Sequence, residues 1–393
     1  MKKKVCVVTS TRADYGILVP LLRRIADDEA LELQLVATGA HLCSLFGHTV
    51  DEIERDGFAI ARRIPILKTE DSERGVSETM AEMLIGFSAF LSESRPDVAV
   101  LLGDRYEIFA AAAALVNARV PIAHLHGGET TEGAIDECFR HGITKMAYLH
   151  FVSCESYRKR VIQLGEDPKR VYNVGALGIE NILNTKFLSI DELQEALAFP
   201  LTESPYAVVT FHPVTMEEDT ATAQMEELLS ALSSCQEMRF LITKANADAG
   251  GRHINARLDA YALENPRCKV VGSLGMQKYL SALRYASCAI GNSSSGIIEV
   301  PAFGIPTVNI GDRQRGRLQA ESVINCLPTK EDILRAIQLA TSPTFAKQAR
   351  EVKSLYGDGK TSERIHHILR DYLFAERIDL KKKFYDIDFE EQL

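Results

Sequence analysis

The sequence lacks three features that would place it in a special class of protein. No hydrophobic run is long enough to span a membrane, and the apolar stretch Val5–Thr9 behind the N-terminal lysines is too short for a secretory signal peptide. None of the eight cysteines stands in a C-x-x-C arrangement, which argues against a structural zinc site and against a disulfide framework. These absences favour a protein of the reducing cytoplasm that is not associated with a membrane.

An excess of positive charge is also absent, since the net charge is −9 at pH 7. A general nucleic-acid surface is therefore not expected. The amino-acid composition, with 46% hydrophobic and 25% charged residues, is typical of a soluble globular protein. The length of 393 residues favours two domains over one.

Short apolar runs alternate with longer amphipathic segments along the chain. Runs without polar alternation, separated by helical patterns, are typical of parallel β-sheets that helices cover on both faces. The predicted strands are Val5–Thr9, Leu33–Thr38, Val98–Leu102, Ile122–His126, His150–Ser153, Tyr206–Phe211, Phe240–Thr243, Lys269–Val271, Cys288–Gly291 and Thr307–Ile310. Two such series predict an α/β protein with two doubly wound, Rossmann-like domains.

The change between the two series sets the expected domain boundary. Polar helical sequence followed by prolines lies between Gly178 and Pro205. We expect the N-terminal domain to comprise residues 1–185 and the C-terminal domain residues 186–365. Residues 366–393 form a predicted C-terminal helix and tail, which we expect to pack back on the first domain.

Polar residues cluster after the predicted strands of the first half, where ligands bind in doubly wound folds. Asp104 and Arg105 follow one strand, and His124, His126 and Glu129 surround the end of the next. So many ionisable groups are costly to bury and are typical of a site that moves protons. No metal is predicted at the two histidines, because no third ligand stands at a recognisable spacing.

Several of these groups have a structural alternative. Asp136 begins a predicted helix, and it can either face the site or pair with Arg140 four residues later. Asp104 and Arg105 can act as an acid or base and as a phosphate ligand, or they can form an ion pair at a helix start. Arg12, after the first strand, can meet a phosphate or belong to a polar capping loop.

The second half contains a candidate phosphate site. Residues 291–296 combine Asn, three Ser and two Gly between an apolar run and a helix start, so they form either an anion site or a Ser-rich helix cap. Glu299, one turn later, is placed to bind a ribose diol, and Arg313 follows the last predicted strand. His212 is either aimed at the site by Pro213 or is a core histidine. Acid/base residues in one half and phosphate ligands in the other indicate an enzyme that acts on a nucleotide-linked substrate.

Together these motifs resemble those of the UDP-N-acetylglucosamine 2-epimerases, and most of all the hydrolysing branch that feeds the synthesis of sialic-acid-type sugars. The matching segments are TRADYG (11–16), GAHL (39–42), GDR (103–105), HGGE (126–129), GAID (133–136), RHGITK (140–145), HPVT (212–215), GNSSSG (291–296) and GDRQRGR (311–317). The resemblance implies two Rossmann-like domains that face a cleft, as in GT-B glycosyltransferases. It also implies a homo-oligomer, either a dimer or a tetramer.

The resemblance further implies roles for individual residues toward a UDP-linked sugar. Residues expected to bind this substrate are Arg12, His41, Arg105, Asn246, Ser293, Ser294, Glu299 and Arg313. Residues expected to act in catalysis are Asp104, His126, Glu129, Asp136 and His212.

The family reaction begins with anti-elimination of UDP across C1–C2, which gives a glycal. In the hydrolysing branch, water then adds at C1 and a proton returns to C2 on the other face. The implied conversion is therefore UDP-N-acetylglucosamine to N-acetylmannosamine plus UDP. A base must remove the C2 proton, and no metal or redox cofactor is needed.

Position 126 departs from the family pattern, because many relatives carry Glu where this chain has His126. Either His126 takes over proton transfer, since imidazole exchanges protons near neutral pH, or Glu129 and Asp136 share the task and His126 binds the sugar. In having histidine at this position, the sequence resembles a subgroup of the family that is associated with legionaminic-acid synthesis. This makes UDP- or GDP-linked N,N'-diacetylbacillosamine the main rival substrate. The remaining alternatives are a non-hydrolysing epimerase, a GT-B glycosyltransferase and a nucleotide-sugar sensor without catalysis.

Overall fold

The computed structural model describes residues 2–44, 47–67, 72–132, 134–213, 220–245, 251–375 and 379–388. The chain forms two compact units, each with its own β-sheet. Unit 1 consists of Met1–Glu129, Asp136–Glu180 and Tyr356–Leu393, and unit 2 consists of Thr130–Ile135 and Asn181–Leu355. The chain thus leaves unit 1 briefly after Glu129 and returns to it near the C-terminus.

Unit 1 is built on a seven-stranded parallel sheet. Its strands are β1 (Lys3–Thr9), β2 (Leu31–Thr38), β3 (Ile60–Ile64), β4 (Val98–Leu102), β5 (Ile122–Leu125), β6 (Leu149–Val152) and β7 (Val171–Asn173). They follow the order β3-β2-β1-β4-β5-β6-β7. The helices between them are α1 (Arg12–Asp27), α2 (Val50–Arg55), α3 (Glu73–Glu93), α4 (Tyr106–Asn117), α5 (Asp136–Met146) and α6 (Glu155–Gln163). Helix α7 (Leu177–Asn184) then runs from unit 1 into unit 2.

Unit 2 repeats this arrangement with six strands. They are β8 (Tyr206–Thr210), β9 (Arg239–Thr243), β10 (Cys268–Val271), β11 (Cys288–Gly291), β12 (Thr307–Ile310) and β13 (Val323–Cys326), in the order β10-β9-β8-β11-β12-β13. The helices are α8 (Ile190–Leu197), α9 (Thr220–Ser234), α10 (Gly251–Glu264), α11 (Gly275–Tyr285), α12 (Ser294–Ile298), α13 (Lys330–Thr341) and α14 (Pro343–Glu351). Two doubly wound parallel sheets confirm the predicted fold class.

Each of the ten predicted strands coincides with an observed one, and the prediction missed β3, β7 and β13. These three strands lie at the edges of their sheets. An edge strand pairs on one side only, so polar side chains are tolerated along it, and β3 alternates half-buried and exposed residues before it ends on a buried one. These three edge strands therefore lack the uninterrupted apolar run that marks a central parallel strand.

Helix α15 (Thr361–Phe374) belongs to unit 1, where it packs against α1. Its buried residues Ile365, Leu369 and Leu373 recur at helical spacing and join the apolar core on one face of the sheet. The chain returns to this unit at Tyr356, nine residues before the end of the expected second domain. Within the described ranges, no helix combines the length and the apolar character needed to cross a membrane.

The C-terminal segment beyond α15 is attached to unit 1 through a buried carboxylate, Glu166. The side chain of Glu166 accepts hydrogen bonds from Lys145 Nζ (2.6 Å) and His150 Nε2 (3.0 Å), and it pairs with Lys382 Nζ (2.6 Å). Burial alone would raise the pKa of Glu166, but these cationic and imidazole donors outweigh it and lower the pKa to about 2. Glu166 is therefore ionised and holds the tail to the sheet.

Ionised Glu166 should make the protein sensitive to acid. Because its pKa in the folded state lies below the ordinary value of 4.5, its contribution to stability is present above that pH and is lost as the pH falls toward 2. We expect the free energy of unfolding to fall more steeply between about pH 5 and pH 3 in the wild type than in Glu166→Gln. Urea titrations measure these slopes. Glu155→Gln, which removes an exposed acid, should keep the wild-type slope, and equal slopes for all three proteins would contradict the prediction.

Candidate active site

A buried guanidinium on α5 joins two loops to its own helix at the carboxyl edge of the unit 1 sheet. Arg140 on α5 pairs with Asp104, which follows β4, and with Glu137 (2.6 Å), and it donates to the backbone oxygen of Glu129 (3.0 Å) after β5. The side chain of Arg140 is 1% exposed. Its positive charge is thus balanced by two carboxylates and a carbonyl, as a buried charge requires. Asp136 lies at the first residue of the same helix, half-buried.

His126 is held in an unusual backbone conformation beside Glu129. Its φ is +65°, in the left-handed region that a non-glycine residue seldom adopts. Its Nδ1 lies 3.0 Å from Glu129 Oε1, and Ser153 Oγ donates to the same oxygen at 2.8 Å. His126 Nε2 is buried and has no hydrogen-bond partner among the described residues. The ring is thus oriented through one nitrogen only.

Two other histidines near this edge are enclosed in the core. His124 Nε2 bonds to the backbone oxygen of Gly103 (2.8 Å), and burial lowers the pKa of His124 to about 3. His41 uses both ring nitrogens, Nε2 with Thr9 Oγ1 (3.0 Å) and Nδ1 with Thr49 Oγ1 (2.8 Å). Burial also lowers the pKa of His41, against the charge of Asp14. Both rings are therefore neutral supports of loops, and a sugar contact for His41 stays a prediction.

The two predicted phosphate ligands of unit 1 start helices that follow adjacent strands. Arg12 is the first residue of α1, after β1, and Arg105 caps α4, after β4. Each is paired with an acid within unit 1, Arg12 with Glu52 at 3.4 Å and Arg105 with Glu107 at 2.6 Å. The order of the sheet reverses between these two strands, which is where ligands bind in open α/β sheets.

In unit 2 the loop after β11 is organised by a buried amide, Asn292. Its side chain accepts from the backbone N of His212 (2.7 Å) and donates to the backbone oxygen of the same residue (2.8 Å). The backbone oxygen of Asn292 accepts hydrogen bonds from the side chains of Arg313 (3.2 Å) and Gln314 (2.9 Å). The strand before it ends in Gly291 with φ +136°, where a Cβ would lie 1.9 Å from the oxygen of Thr210. The structure thus joins His212, the serine loop and Arg313.

The serine loop continues into α12. Ser293 caps this helix and Ser294 is its first residue, while Glu299 follows its last residue and is half-buried. Tyr279 on α11 donates its hydroxyl to Ser295 Oγ (2.8 Å). Burial raises the pKa of Tyr279, and the nearby charge of Glu299 raises it further.

Tyr279 was not identified from the sequence, because it lies inside a helix and not beside a strand end. Asn246, in contrast, was identified but falls outside the described residues. Within the described part of the chain, no three His, Cys, Asp or Glu side chains lie close enough together to hold a metal ion.

The segment between Glu129 and Asp136 belongs to unit 2. There, the backbone N of Glu132 donates to the oxygen of Arg315 (3.3 Å), and the side chains of these two residues form an ion pair at 3.3 Å. Gly316 is in contact with Thr130, since a Cβ at Gly316 would lie 2.6 Å from its methyl carbon. This segment therefore packs on the same arginine-rich loop that carries Arg313.

Comparison with known proteins adds an independent observation. A family model described as UDP-N-acetylglucosamine 2-epimerase matches residues 23–370. The chain belongs to this family. A GDP/UDP-N,N'-diacetylbacillosamine 2-epimerase (hydrolyzing) of Campylobacter jejuni is 43% identical over 82% of this chain and 84% of its own length. Polysialic acid biosynthesis protein P7 of Escherichia coli is 37% identical over 98% of both chains. A UDP-N,N'-diacetylbacillosamine 2-epimerase (hydrolyzing) of Legionella pneumophila is 34% identical over 94% of this chain and 96% of its own.

Solved structures of epimerases share the fold. A Methanocaldococcus jannaschii UDP-GlcNAc 2-epimerase in complex with UDP-GlcNAc and UDP matches with a TM-score of 0.79 at 17% identity, covering 93% of this chain and 99% of that one. A Neisseria meningitidis UDP-GlcNAc 2-epimerase bound to UDP-GlcNAc matches with a TM-score of 0.77 at 16% identity, covering 94% and 100%. The epimerase family and the doubly wound fold are thus both confirmed.

The role of Arg140 can be tested by replacing it. We expect Arg140→Met to lower the free energy of unfolding by about 2–4 kcal/mol, because two carboxylates and a buried carbonyl lose their shared donor. Urea denaturation measures the loss. Arg74→Met, which removes an exposed arginine paired with Glu78 on α3, is the matched control and should change stability by less than about 0.5 kcal/mol. Equal stabilities of the two variants would contradict the role of Arg140.

Proposed function

We propose that this member of the epimerase family is a hydrolysing 2-epimerase of a nucleotide-linked 2-acetamido sugar, releasing the nucleoside diphosphate and the free 2-epimer. The observation that carries the proposal is the cluster of Asp104, His126, Glu129 and Arg140 at the carboxyl edge of one sheet. Proton removal and proton return at C2 need groups of this kind at a fixed place. The names of the Campylobacter and Legionella relatives, which include the word hydrolyzing, support release of the sugar.

For the substrate we propose UDP-N,N'-diacetylbacillosamine, with UDP-N-acetylglucosamine as the second candidate. The first choice is supported by the names of two relatives at 43% and 34% identity. The second is supported by the family as a whole and by the 37% identity to a protein of polysialic acid biosynthesis. Histidine at position 126, in place of the acid found in many family members, also favours the diacetylated sugar.

The proposed reaction has three steps. A base takes the C2 proton while the C1–O bond to the diphosphate breaks, which leaves a glycal. Water then adds at C1, and a proton is delivered to C2 on the opposite face. We assign proton transfer to His126 and Asp104, with Asp136 as the further acid in contact with the sugar, because these side chains follow strand ends or begin a helix at one sheet edge.

The diphosphate and ribose would be held by the remaining site residues. Arginines stabilise negative charge that moves onto a leaving diphosphate. We assign this role to Arg12, Arg105 and Arg313. Ser293 and Ser294 offer hydroxyls to the same group, and Glu299 can accept hydrogen bonds from a ribose diol. We place His212 toward the sugar, since its backbone is fixed by Asn292. Asn246 completes the proposed substrate contacts. We propose that His41, whose ring nitrogens bond to Thr9 and Thr49, contributes by supporting the loop after β2.

Proton NMR in D2O tests the reaction directly. We expect UDP-N,N'-diacetylbacillosamine to yield a free 2-epimer with deuterium at C2, together with UDP, because the proton returned to C2 comes from solvent. UDP-N-acetylglucosamine, assayed in parallel, decides between the two substrates. Asp104→Asn should abolish turnover, whereas Asp191→Asn, which alters an exposed acid in the first turn of α8, should not.

Other results in that assay would contradict the proposal. A nucleotide-linked 2-epimer would assign the protein to the non-hydrolysing branch. No deuterium uptake and no release of UDP from either substrate would favour a glycosyltransferase or a sensor.

Tyr279 provides a test of the serine loop as the diphosphate site. We expect Tyr279→Phe to raise the Kd for UDP about 3- to 10-fold, because Ser295 loses the hydroxyl that orients it. Isothermal titration calorimetry measures the Kd. Tyr285→Phe is the matched control on the same helix, since the Tyr285 hydroxyl bonds to the backbone oxygen of Leu188 (3.1 Å) and not to the serine loop. An unchanged Kd in Tyr279→Phe would contradict the serine loop as the diphosphate site.

A further inference from the structure

We propose that Ser153, Glu129 and His126 form a relay in which Glu129 is a positioning residue and His126 Nε2 is the atom that exchanges the proton. The inference rests on the proposed function, which requires a proton-transfer group near C2 of a sugar. It goes beyond it by giving Glu129 a different task from the other acids of the site.

The carboxylate of Glu129 accepts hydrogen bonds from both His126 and Ser153. An ionised carboxylate only accepts hydrogen bonds, so the short contact between Glu129 Oε1 and His126 Nδ1 places a proton on Nδ1. Ser153 Oγ donates to the same carboxylate oxygen at 2.8 Å and holds it in place from the end of β6. In the neutral ring, Nε2 is then the unprotonated nitrogen, able to accept a proton.

Hydrogen bonding separates the roles of the two groups. The side chains of Glu129 and His126 are 3% and 13% exposed, and His126 Nε2, itself buried, has no hydrogen-bond partner among the described residues. Glu129 receives bonds from both neighbours at its carboxylate, and its backbone oxygen receives a bond from Arg140. A buried, bonded carboxylate beside an imidazole is the arrangement that sets a histidine tautomer and stabilises the imidazolium when it forms. Glu129 therefore acts through His126 and does not itself transfer the proton.

The backbone around His126 restricts the orientation of its ring. The left-handed φ of His126 is unfavourable for a residue other than glycine. The His126 N–H donates to the oxygen of Phe151 at 2.9 Å, which fixes the strand end on β6. Gly128 follows with φ +76°, and a Cβ there would lie 2.6 Å from the oxygen of Tyr157. These constraints hold the ring against Glu129 and maintain a backbone conformation that is locally unfavourable.

A double-mutant cycle tests whether Glu129 acts through His126. We expect Glu129→Gln and His126→Gln each to lower kcat about 10²- to 10⁴-fold with a smaller effect on KM, and the double variant to lose no more than His126→Gln alone. Ser153→Ala should lower kcat by less, about 3- to 10-fold. Glu155→Gln, close to Ser153 in sequence but exposed and paired with Arg158, is the matched control and should keep wild-type kcat. Losses that multiply in the double variant, or an unaltered kcat in Glu129→Gln, would overturn the relay.

Nitrogen NMR gives a readout that does not depend on turnover. In protein with ¹⁵N-labelled histidine rings, His126→Gln identifies the signals of His126 by their disappearance. We expect the neutral ring to show a protonated Nδ1 and an unprotonated Nε2, and Glu129→Gln to shift the ring toward the Nε2-protonated tautomer, because an amide can donate to Nδ1. An Nε2-protonated ring in the wild type would refute the relay even if the enzyme is active. The expected tautomer in a protein that turns over neither sugar would support the hydrogen bond from His126 Nδ1 to Glu129 and refute the proposed reaction, so the two failures are distinguishable.

Discussion

The arrangement of the unit 1 site depends on one buried charge, the guanidinium of Arg140. Taking a guanidinium out of water is costly, and the cost is offset only when carboxylates and carbonyls surround it. Here the partners come from three places in the chain, Asp104 after β4, the backbone of Glu129 after β5 and Glu137 on α5. The same interaction that makes Arg140 stable in the interior therefore sets the positions of two acids at the sheet edge. A lysine at this position could not reach all three partners, because it offers a point charge on a flexible stem instead of a planar set of donors.

Unit 2 reaches a comparable result with a neutral group. The side-chain amide of Asn292 bonds to the backbone of His212, and the backbone oxygen of Asn292 accepts from Arg313 and Gln314. An amide has both donors and an acceptor, so it can join loops without the desolvation cost of a charge. Both units share the strand order of the doubly wound fold, and in both the linked loops follow the central strands. The two solutions match the chemistry proposed for each half, with acids near the arginine in unit 1 and hydroxyls near the amide in unit 2.

The histidines of unit 1 show how environment separates identical side chains. His124 and His41 are enclosed and bonded through both ring nitrogens, and burial lowers the pKa of each. They remain neutral and support loops. His126 differs because only Nδ1 is bonded among the described residues, and because its backbone is held in the left-handed region. Sequence proximity alone could not distinguish His124 from His126, since the two stand two residues apart in the same strand-like run.

The sequence by itself determined the fold class, the central strands and the places in the chain where functional groups occur. This was possible because central parallel strands must be apolar throughout, and because ligands bind at the ends of such strands, so that motif and position are read together. The family resemblance rested on segments of a few residues each, which are local in sequence. The edge strands β3, β7 and β13 were missed because exposure on one side removes the apolar signal on which the prediction relied.

Only the tertiary structure decided which groups meet. Arg140 pairs with Asp104, 36 positions away, and Ser153 reaches Glu129 from the next strand, 24 positions later. The Tyr279 hydroxyl reaches Ser295 from a different helix. Hydrogen bonds of this kind depend on distances of a few ångströms between elements that are far apart in the chain, and no local pattern encodes them. His126 and Glu129 are neighbours in sequence, but Ser153, which holds the Glu129 carboxylate in place, comes from the end of the adjacent strand.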